Sequence, residues 1–384
     1  MKKFSQKLCL CAKHSLTSLI ECAKNSTHYQ SSSNCSGNSK SQLLSPTAAS
    51  ASPSSHLLPP TTIRSAGRIA MPLLLLLGAI ASFLVPASGL VNDYLIFILI
   101  SFAINAILSL SLNLVNGYMG EFSVGHAGFM ALGAYASAII TVKTFPTFPP
   151  LLLFPIALLA AGGMAALAGI PLAFLSFKTR GDYLAIITLA FLMIVKSGLE
   201  NIPYVGGPRG LLGIPRLTTL PWAYFCLVFS FWALRNLIYS QFGRSIEAIR
   251  EDEIAATAMG VSTRKAKIVA FVVSSFFAGI AGALFAHQLQ FINPSSFDIL
   301  KSTDILVMVY LGGIASISGS LIGAGVFTVL GQLLQPLGIW RMVIMPLLLV
   351  LLMLFRPRGI MGFKEWAWFK PRDYPTKIEK DERR

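Results

Sequence analysis

From Ile69 to Phe355 the chain returns repeatedly to apolar runs of about twenty residues, the length of α-helix that crosses a ~30 Å hydrocarbon core. A chain patterned in this way has more apolar surface than a water-soluble core can hide. In lipid its backbone polar groups must be satisfied within helices or a closed barrel. Ten segments qualify: Ile69–Ser88, Asp93–Val115, Gly120–Val142, Pro149–Leu175, Tyr183–Leu199, Trp222–Ser240, Ala266–Gln290, Thr303–Ile317, Gly319–Gln335 and Trp340–Phe355. The third, eighth and ninth are short or interrupted by glycine, so they are expected to be broken or re-entrant. The expected fold is an all-α polytopic integral membrane protein with about 8–10 transmembrane helices.

Composition narrows the function classes. Of 384 residues 54% are hydrophobic and 12% charged, about half the ~25% charged fraction of soluble domains, which excludes an ordinary cytosolic enzyme. The net charge of +15 is compatible with nucleic acid, an anionic membrane surface or topogenic charge, and position decides among them. With the N-terminus inside, 24 of the 31 Lys and Arg fall on one side of the membrane: in 1–68, at Lys178 and Arg180, in Arg244–Lys267, and in 356–384. Cytoplasmic loops are enriched in these residues, so both termini are expected in the cytoplasm, and nucleic acid is not a partner.

Three regions follow. Residues 1–65, with 16 Ser, a single acidic residue (Glu21) and the Pro-rich stretch Ser52–Pro60, are expected to be a disordered extension or a targeting segment. Residues 69–363 form the membrane domain, and 364–384 a charged cytoplasmic tail. The cysteines, Cys9, Cys11, Cys22, Cys35 and Cys226, have neither metal-site nor disulfide-framework spacing.

Two motifs carry the functional expectation. The first, Asn113–Tyr135, places Asn113, Asn116, Glu121, Ser123 and His126 among Gly117, Gly120, Gly125, Gly128 and Gly133. Polar groups and unwound backbone at membrane depth occur inside protein or along a wet cavity, which points to a broken helix lining a pathway. The same residues are compatible with a small-residue packing face, with Glu121 at the interface and His126 bonded to a neighbouring helix. Glu121 and His126, five apart, diverge by about 140° around a helix, so they are not a metal-binding pair. The second motif, Arg244–Lys267, reads as a surface helix capped by Ser245, running to Met259 and stopped by Gly260 in a left-handed turn. Glu247, Arg250, Glu251, Asp252 and Glu253 make it too charged for lipid, either a docking element or a solvated connector. Lys196 is expected to pair with Glu200 four residues on, Arg235 to reach the headgroups, His287 to be packed, and Asp304 to be a lesser pathway candidate.

The first motif, Thr179–Phe191, Gly206-Gly-Pro-Arg-Gly-Leu211, Arg244–Gly260 and Leu311-Gly-Gly-Ile-Ala-Ser316, in this order, resembles the permease subunits of branched-chain amino acid ABC importers, LivM type, from about residue 70 to 363. Two positions depart from the family pattern, which usually has Gln at Glu121 and Asn at Arg209. The resemblance implies a second, similar permease, two cytoplasmic ATPases docked on the coupling segment (Arg250, Glu251, Asp252, Glu253, Gly260), and an extracytoplasmic solute-binding protein facing Arg209 and Asn201–Leu220. It implies the bacterial inner membrane, surrounding lipid, and ATP and Mg used by the partners, with no cofactor or metal in this chain. No Gly-x-x-x-x-Gly-Lys-Ser/Thr phosphate loop occurs in the sequence. Branched-chain amino acids and small amides such as urea both fit the family. An ATP-independent channel or secondary transporter is the alternative class, and a membrane-embedded enzyme would need convergent catalytic groups that the sequence does not offer.

Overall fold

The computed structural model describes residues 78–84, 86, 92–144, 149–176, 183–338, 340–355, 359–362 and 365. The N-terminal extension 1–65, Lys178, Arg180 and the tail beyond Glu365 lie outside the described residues. Helix dominates. After a helical segment at 78–84, the chain forms α1 (Asp93–Asn113), α2 (His126–Ile139), α3 (Pro150–Ser176), α4 (Tyr183–Asn201) and α5 (Leu220–Ile238). A surface pair follows, α6 (Gln241–Glu251) and α7 (Glu253–Ala258), then α8 (Thr263–Leu289), α9 (Ile299–Gly312), α10 (Ile317–Leu333) and α11 (Trp340–Phe355). A two-residue antiparallel pairing, β1 (Leu211–Leu212) with β2 (Phe291–Ile292), ties two loops together in the register Leu211 to Ile292.

Among the described residues, five helical segments are long and apolar enough to cross a membrane unaided: Asp93–Tyr118, His126–Thr144, Pro150–Ser176, Tyr183–Asn201 and Thr263–Leu289. The chain is thus an all-α polytopic membrane protein. Helix α5 has the length, but Arg235 and Asn236 dilute its apolar character. Helices α9, α10 and α11 hold 14, 17 and 16 residues, short for a ~30 Å core. The eighth expected segment begins earlier than the sequence suggests, at Ile299, because Asp298 caps it by accepting from the Ile299 amide at 2.7 Å. The third begins later, at His126, and the break lies before it.

Helix α8 is the axis of the bundle, packed against α2, α3 and α1. Lipid tails are as apolar as leucine, so membrane helices are held by close backbone approach rather than by expulsion of water. A Cβ on Gly133 would lie 2.3 Å from the Gly279 carbonyl oxygen, and one on Gly282 would lie 2.0 Å from that of Met130. Only glycine permits the α2–α8 crossing.

Contacts between elements separate two ends of the bundle. At one end the turn after α1, the last residue of α3, α6 and the start of α8 meet, and Arg244, Arg250, Arg264, Lys265 and Lys267 gather there. At the other, Lys143 donates to the Tyr204 carbonyl and lies 3.7 Å from its ring centre, and the Thr218 hydroxyl donates to the Leu284 carbonyl at 3.0 Å. These are called the basic end and the loop end below.

Candidate translocation site and coupling element

Helix α1 does not stop at Asn113. It widens into a π-turn, Leu114–Tyr118, and then leaves helical geometry for Met119–Gly125. Each backbone group freed by such a break has to be bonded again inside the protein. The Met119 and Glu121 amides donate to the Leu114 and Val115 carbonyls at 3.1 and 3.2 Å. The Ser123 amide donates to Asn116 Oδ1 at 3.2 Å, and Asn116 Nδ2 returns a bond to the Ser123 carbonyl at 3.5 Å. The Val124 amide donates to Thr188 Oγ1 of α4 at 3.0 Å, and its carbonyl accepts from the Ser302 hydroxyl of α9. The expected broken helix is present, and three helices share the satisfaction of its backbone.

The polar residues of the first motif fall into separate places. Asn113, 1% exposed, reaches α10: Nδ2 donates to the Ser316 carbonyl at 2.9 Å and to Ser320 Oγ at 2.7 Å, and Oδ1 accepts from the Ala315 amide at 3.0 Å. His126 is buried and shares a 2.7 Å hydrogen bond between Nε2 and Ser111 Oγ. Asp304 is half-buried, close along α9 to Ser302, which meets the broken segment. Glu121 turns to the basic end, where Lys267 Nζ sits 2.6 Å from Oε1 and the Ser176 hydroxyl donates to Oε2.

Glu121 also connects the two motifs, which the sequence presents as separate. Lys267, at 3% exposure, bridges Glu121 at 2.6 Å and Glu253 at 3.1 Å. An ammonium so enclosed is tolerable because two carboxylates face it. Arg250 Nη1 donates to the Gly117 carbonyl at 3.3 Å, and Nη2 to Glu251 at 2.9 Å. Its stem lies over Gly120, which has φ +77°, and a Cβ there would meet Arg250 Cγ at 2.6 Å. The π-turn, the break, α8 and the surface pair are therefore mechanically one unit at the basic end.

The surface element differs from the single helix expected. Ser240, not Ser245, caps α6, accepting from the Gly243 amide at 3.4 Å, while the Ser245 hydroxyl bonds back to the Gln241 carbonyl at 3.0 Å. Asp252 is extended (φ −158°, ψ 114°) and caps α7 by accepting from the Ile254 and Ala255 amides at 2.8 and 3.1 Å. An aspartate that bonds forward to two amides divides the helix in two. Gly260 is left-handed as expected (φ +83°), and the Gly260 and Val261 amides close on the Thr257 and Ala256 carbonyls, both at 3.0 Å. Gly243, Ile246, Ile249 and Ala256 face inward, Glu247 is half-buried, and Ile254 and Met259 are 70% and 85% exposed.

Lys196 pairs with Asp298 at 3.1 Å rather than with Glu200, because the start of α9 lies alongside α4. The Ile299 amide and the Lys196 ammonium hold the Asp298 carboxyl below the usual carboxylate range, against the opposing effect of its partial burial. The Arg235 guanidinium lies 5.9 Å from the Tyr239 ring centre, and His287 Nδ1 bonds the Pro215 carbonyl at 3.0 Å. Among the described residues no three His, Cys, Asp or Glu converge on a point that would suit a metal ion.

A polar seam between α1 and α10 escaped the sequence reading. Asn105 Nδ2 donates to Thr328 Oγ1 at 3.0 Å, two turns from the Asn113 contacts, and the Tyr94 hydroxyl donates to Gln332 Oε1 at 2.9 Å. The signal is polar residues at every fourth position of α1, Ser101, Asn105, Ser109 and Asn113, against Ser316, Ser320, Thr328 and Gln332, a four-residue spacing interrupted only by Ala324. Toward the loop end the seam opens into a cavity of about 240 Å³ between α1, α8, α9 and α10.

A helical membrane bundle with a polar seam, an opening at one end and a charged surface element clamped at the other is the architecture of a transport permease subunit. The chain belongs to the family described as branched-chain amino acid transport system / permease component, whose family model matches residues 94–355. It is 35% identical over 290 residues to the high-affinity branched-chain amino acid transport system permease protein LivM of Escherichia coli (strain K12), an alignment covering 66% of this chain and 67% of that one. It is 31% identical over 130 residues to the permease protein LivH of the same system and strain, covering 33% of this chain and 42% of LivH. It is 26% identical over 306 residues to the ribose import permease protein RbsC of that strain, covering 73% and 90%. No solved structure matches the chain.

Proposed function

We propose that this chain is the permease subunit of an ABC importer for branched-chain amino acids, lining half of a translocation pathway that a second, similar permease completes. Its similarity to LivM over two-thirds of both chains supports the substrate. Two ATPases dock on α6 and α7 at the basic end and hydrolyse ATP with Mg. A solute-binding protein delivers cargo to the loop end at Arg209 and Asn201–Leu220. The basic end faces the cytoplasm of a bacterium, and both termini lie there, a reading that the distribution of Lys and Arg along the sequence supports.

The observation that carries this reading is the clamp of Arg250 and Lys267. Force on α6 and α7 passes through Arg250 to the π-turn at Gly117 and through Glu253 and Lys267 to α8 and Glu121. Glu247, Arg250, Glu251, Asp252, Glu253 and Gly260 form the coupling element. Asn113, Asn116, Glu121, Ser123 and His126 form the inner gate that it moves, with Asp304 on the pathway wall above. Alternating access then needs only a shift between two packings of the broken segment, driven by the ATPases.

Charge reversal of Arg250 and Glu251 together (R250E with E251R) tests the coupling. In proteoliposomes of the complete complex, ATP-driven leucine uptake is expected to fall at least about tenfold, the effect of roughly 1.4 kcal/mol on coupling, while the four-subunit complex still assembles. Uptake at the wild-type rate would sink the docking role. Leucine uptake by wild-type vesicles that hold a proton gradient but no ATP would favour a secondary transporter instead.

A further inference from the structure

Past α11 the chain turns back onto the basic end of the bundle. Gly359 is left-handed (φ +69°), and a Cβ there would lie 2.5 Å from the Tyr310 carbonyl oxygen, so glycine is what lets the segment come this close to α9. The Ile360 and Met361 amides then donate to the Leu311 and Gly312 carbonyls at 3.0 and 3.1 Å. These are two of the carbonyls that the last turn of α9 leaves without a partner inside the helix. The first acidic side chain past α11, Glu365, is half-buried although it belongs to the charged tail.

Donors from three elements converge on that carboxylate. The Tyr118 hydroxyl, at the end of the π-turn, donates to Oε1 at 2.6 Å. The Ile317 amide, in the first turn of α10, donates to the same oxygen at 3.0 Å. The Tyr239 hydroxyl, one residue before the Ser240 cap of α6, donates to Oε2. A carboxylate has about four acceptor sites and no donor, so it can hold all of these at once, and its charge strengthens each bond. The Ile317 amide is also one that a helix start leaves unbonded, where negative charge is favoured. Beside this point the π-turn and the α9–α10 turn already touch. A Cβ on Gly117 would lie 2.5 Å from the Ala315 nitrogen, and Ala315 itself is held left-handed (φ +55°), a conformation that a residue with a Cβ keeps only where its surroundings fix it.

The named bonds of Arg250 and Lys267 link the surface pair to the π-turn, the break and α8. We propose that Glu365 is a positioning residue for transport, the pin that makes α10 move with them. A shift of α6 reaches Tyr239, passes through the carboxylate to the Ile317 amide, and is kept in register with the π-turn by Tyr118. This assignment rests on the importer reading above and deepens it, because it places the start of the C-terminal tail in the coupling machinery. The contacts of Asn113 with Ser316 and Ser320 then travel with the gate instead of forming a fixed wall.

Two measurements on the complete complex test it. In proteoliposomes Glu365→Ala is expected to lower the leucine taken up per ATP hydrolysed about fivefold. Glu365→Gln is expected to keep that ratio within about twofold of wild type, because its oxygen still accepts from Tyr118 and Ile317 and its amide can donate to the Tyr239 oxygen. A residue that only holds the fold together would alter assembly or thermal unfolding and leave the ratio unchanged. The second measurement reads conformation. Trapping the wild-type complex with ATP and vanadate is expected to change amide hydrogen exchange across both 119–125 and 313–319, and in Glu365→Ala the change at 313–319 is expected to be lost while that at 119–125 is kept. A wild-type ratio in Glu365→Ala, or a response at 313–319 that is absent from wild type or survives in the variant, would overturn the pin and leave the importer standing. A wild-type complex without ATP-driven leucine uptake would overturn the importer reading itself. If Glu365→Ala fails to assemble, Tyr239→Phe decides, since it removes one bond to the carboxylate and keeps the ring that Arg235 faces. It is expected to lower the ratio at least about twofold, and an unchanged ratio would overturn the pin.

Discussion

Asn113 and Asn105 show how one residue type serves two purposes on one helix. Asn113 uses both amide hydrogens and its oxygen on α10 and is sealed from solvent, whereas Asn105, two turns away, bonds Thr328 and borders the cavity. Asn113→Ala removes three hydrogen bonds and takes the side-chain acceptor from the Ala315 amide, while the Ser320 hydroxyl keeps its bond to the Ser316 carbonyl, and the expected loss is about 1–3 kcal/mol of stability, toward the low end if lipid-embedded helices find other partners. A lower midpoint of thermal unfolding in the detergent-purified complex would register it, and an unchanged midpoint would show that the seam is not structural at that level. Asn113 and His126 were legible in the sequence as unusual polar residues inside spans. The partners of Asn113 were not, because Ser316 and Ser320 lie about two hundred residues further along the chain.

Among the elements, the surface pair α6 and α7 departs furthest from expectation. Propensity favours one continuous helix through Met259, but the backbone is extended at Asp252, and its side chain caps the second segment by accepting from the Ile254 and Ala255 amides. Asp252→Ala removes that cap and is expected to destabilise α7 by about 1 kcal/mol. Amide hydrogen exchange across Glu253–Ala258 should accelerate about fivefold while exchange in α8 is unchanged, and unaltered exchange would mean that the Schellman closure at Gly260 holds α7 by itself. The broken segment between α1 and α2 is the converse case. Its glycines announced an interruption, but the bonds that make it tolerable come from Thr188 and Ser302, on helices that only the folded bundle brings near.

For the whole molecule, the distribution of Lys and Arg along the sequence predicts how the bundle sits in a membrane, with the end that carries α6 and α7 toward the cytoplasm. Ile254→Cys, at the basic end, is expected to react with a membrane-impermeant maleimide in inverted vesicles and to be protected in right-side-out ones. Arg209→Cys, at the loop end, should behave in the opposite way in the same cysteine-free background. Labelling of both from one side would overturn the orientation. The sequence alone determined that the chain spans a membrane as helices, that a glycine-rich polar stretch interrupts them after Asn113, and which loop is too charged for lipid. Each of these follows from local quantities: run length, charge and glycine spacing. Only the tertiary structure decided that Glu121 belongs with Lys267 and Glu253, that Lys196 meets Asp298 instead of Glu200, and that a polar seam opens into a cavity at Gln288 and Lys301. The physical reason is that in lipid a polar group must find its partner within the protein, and which partner it finds depends on helices packed side by side whose residues are far apart in the chain.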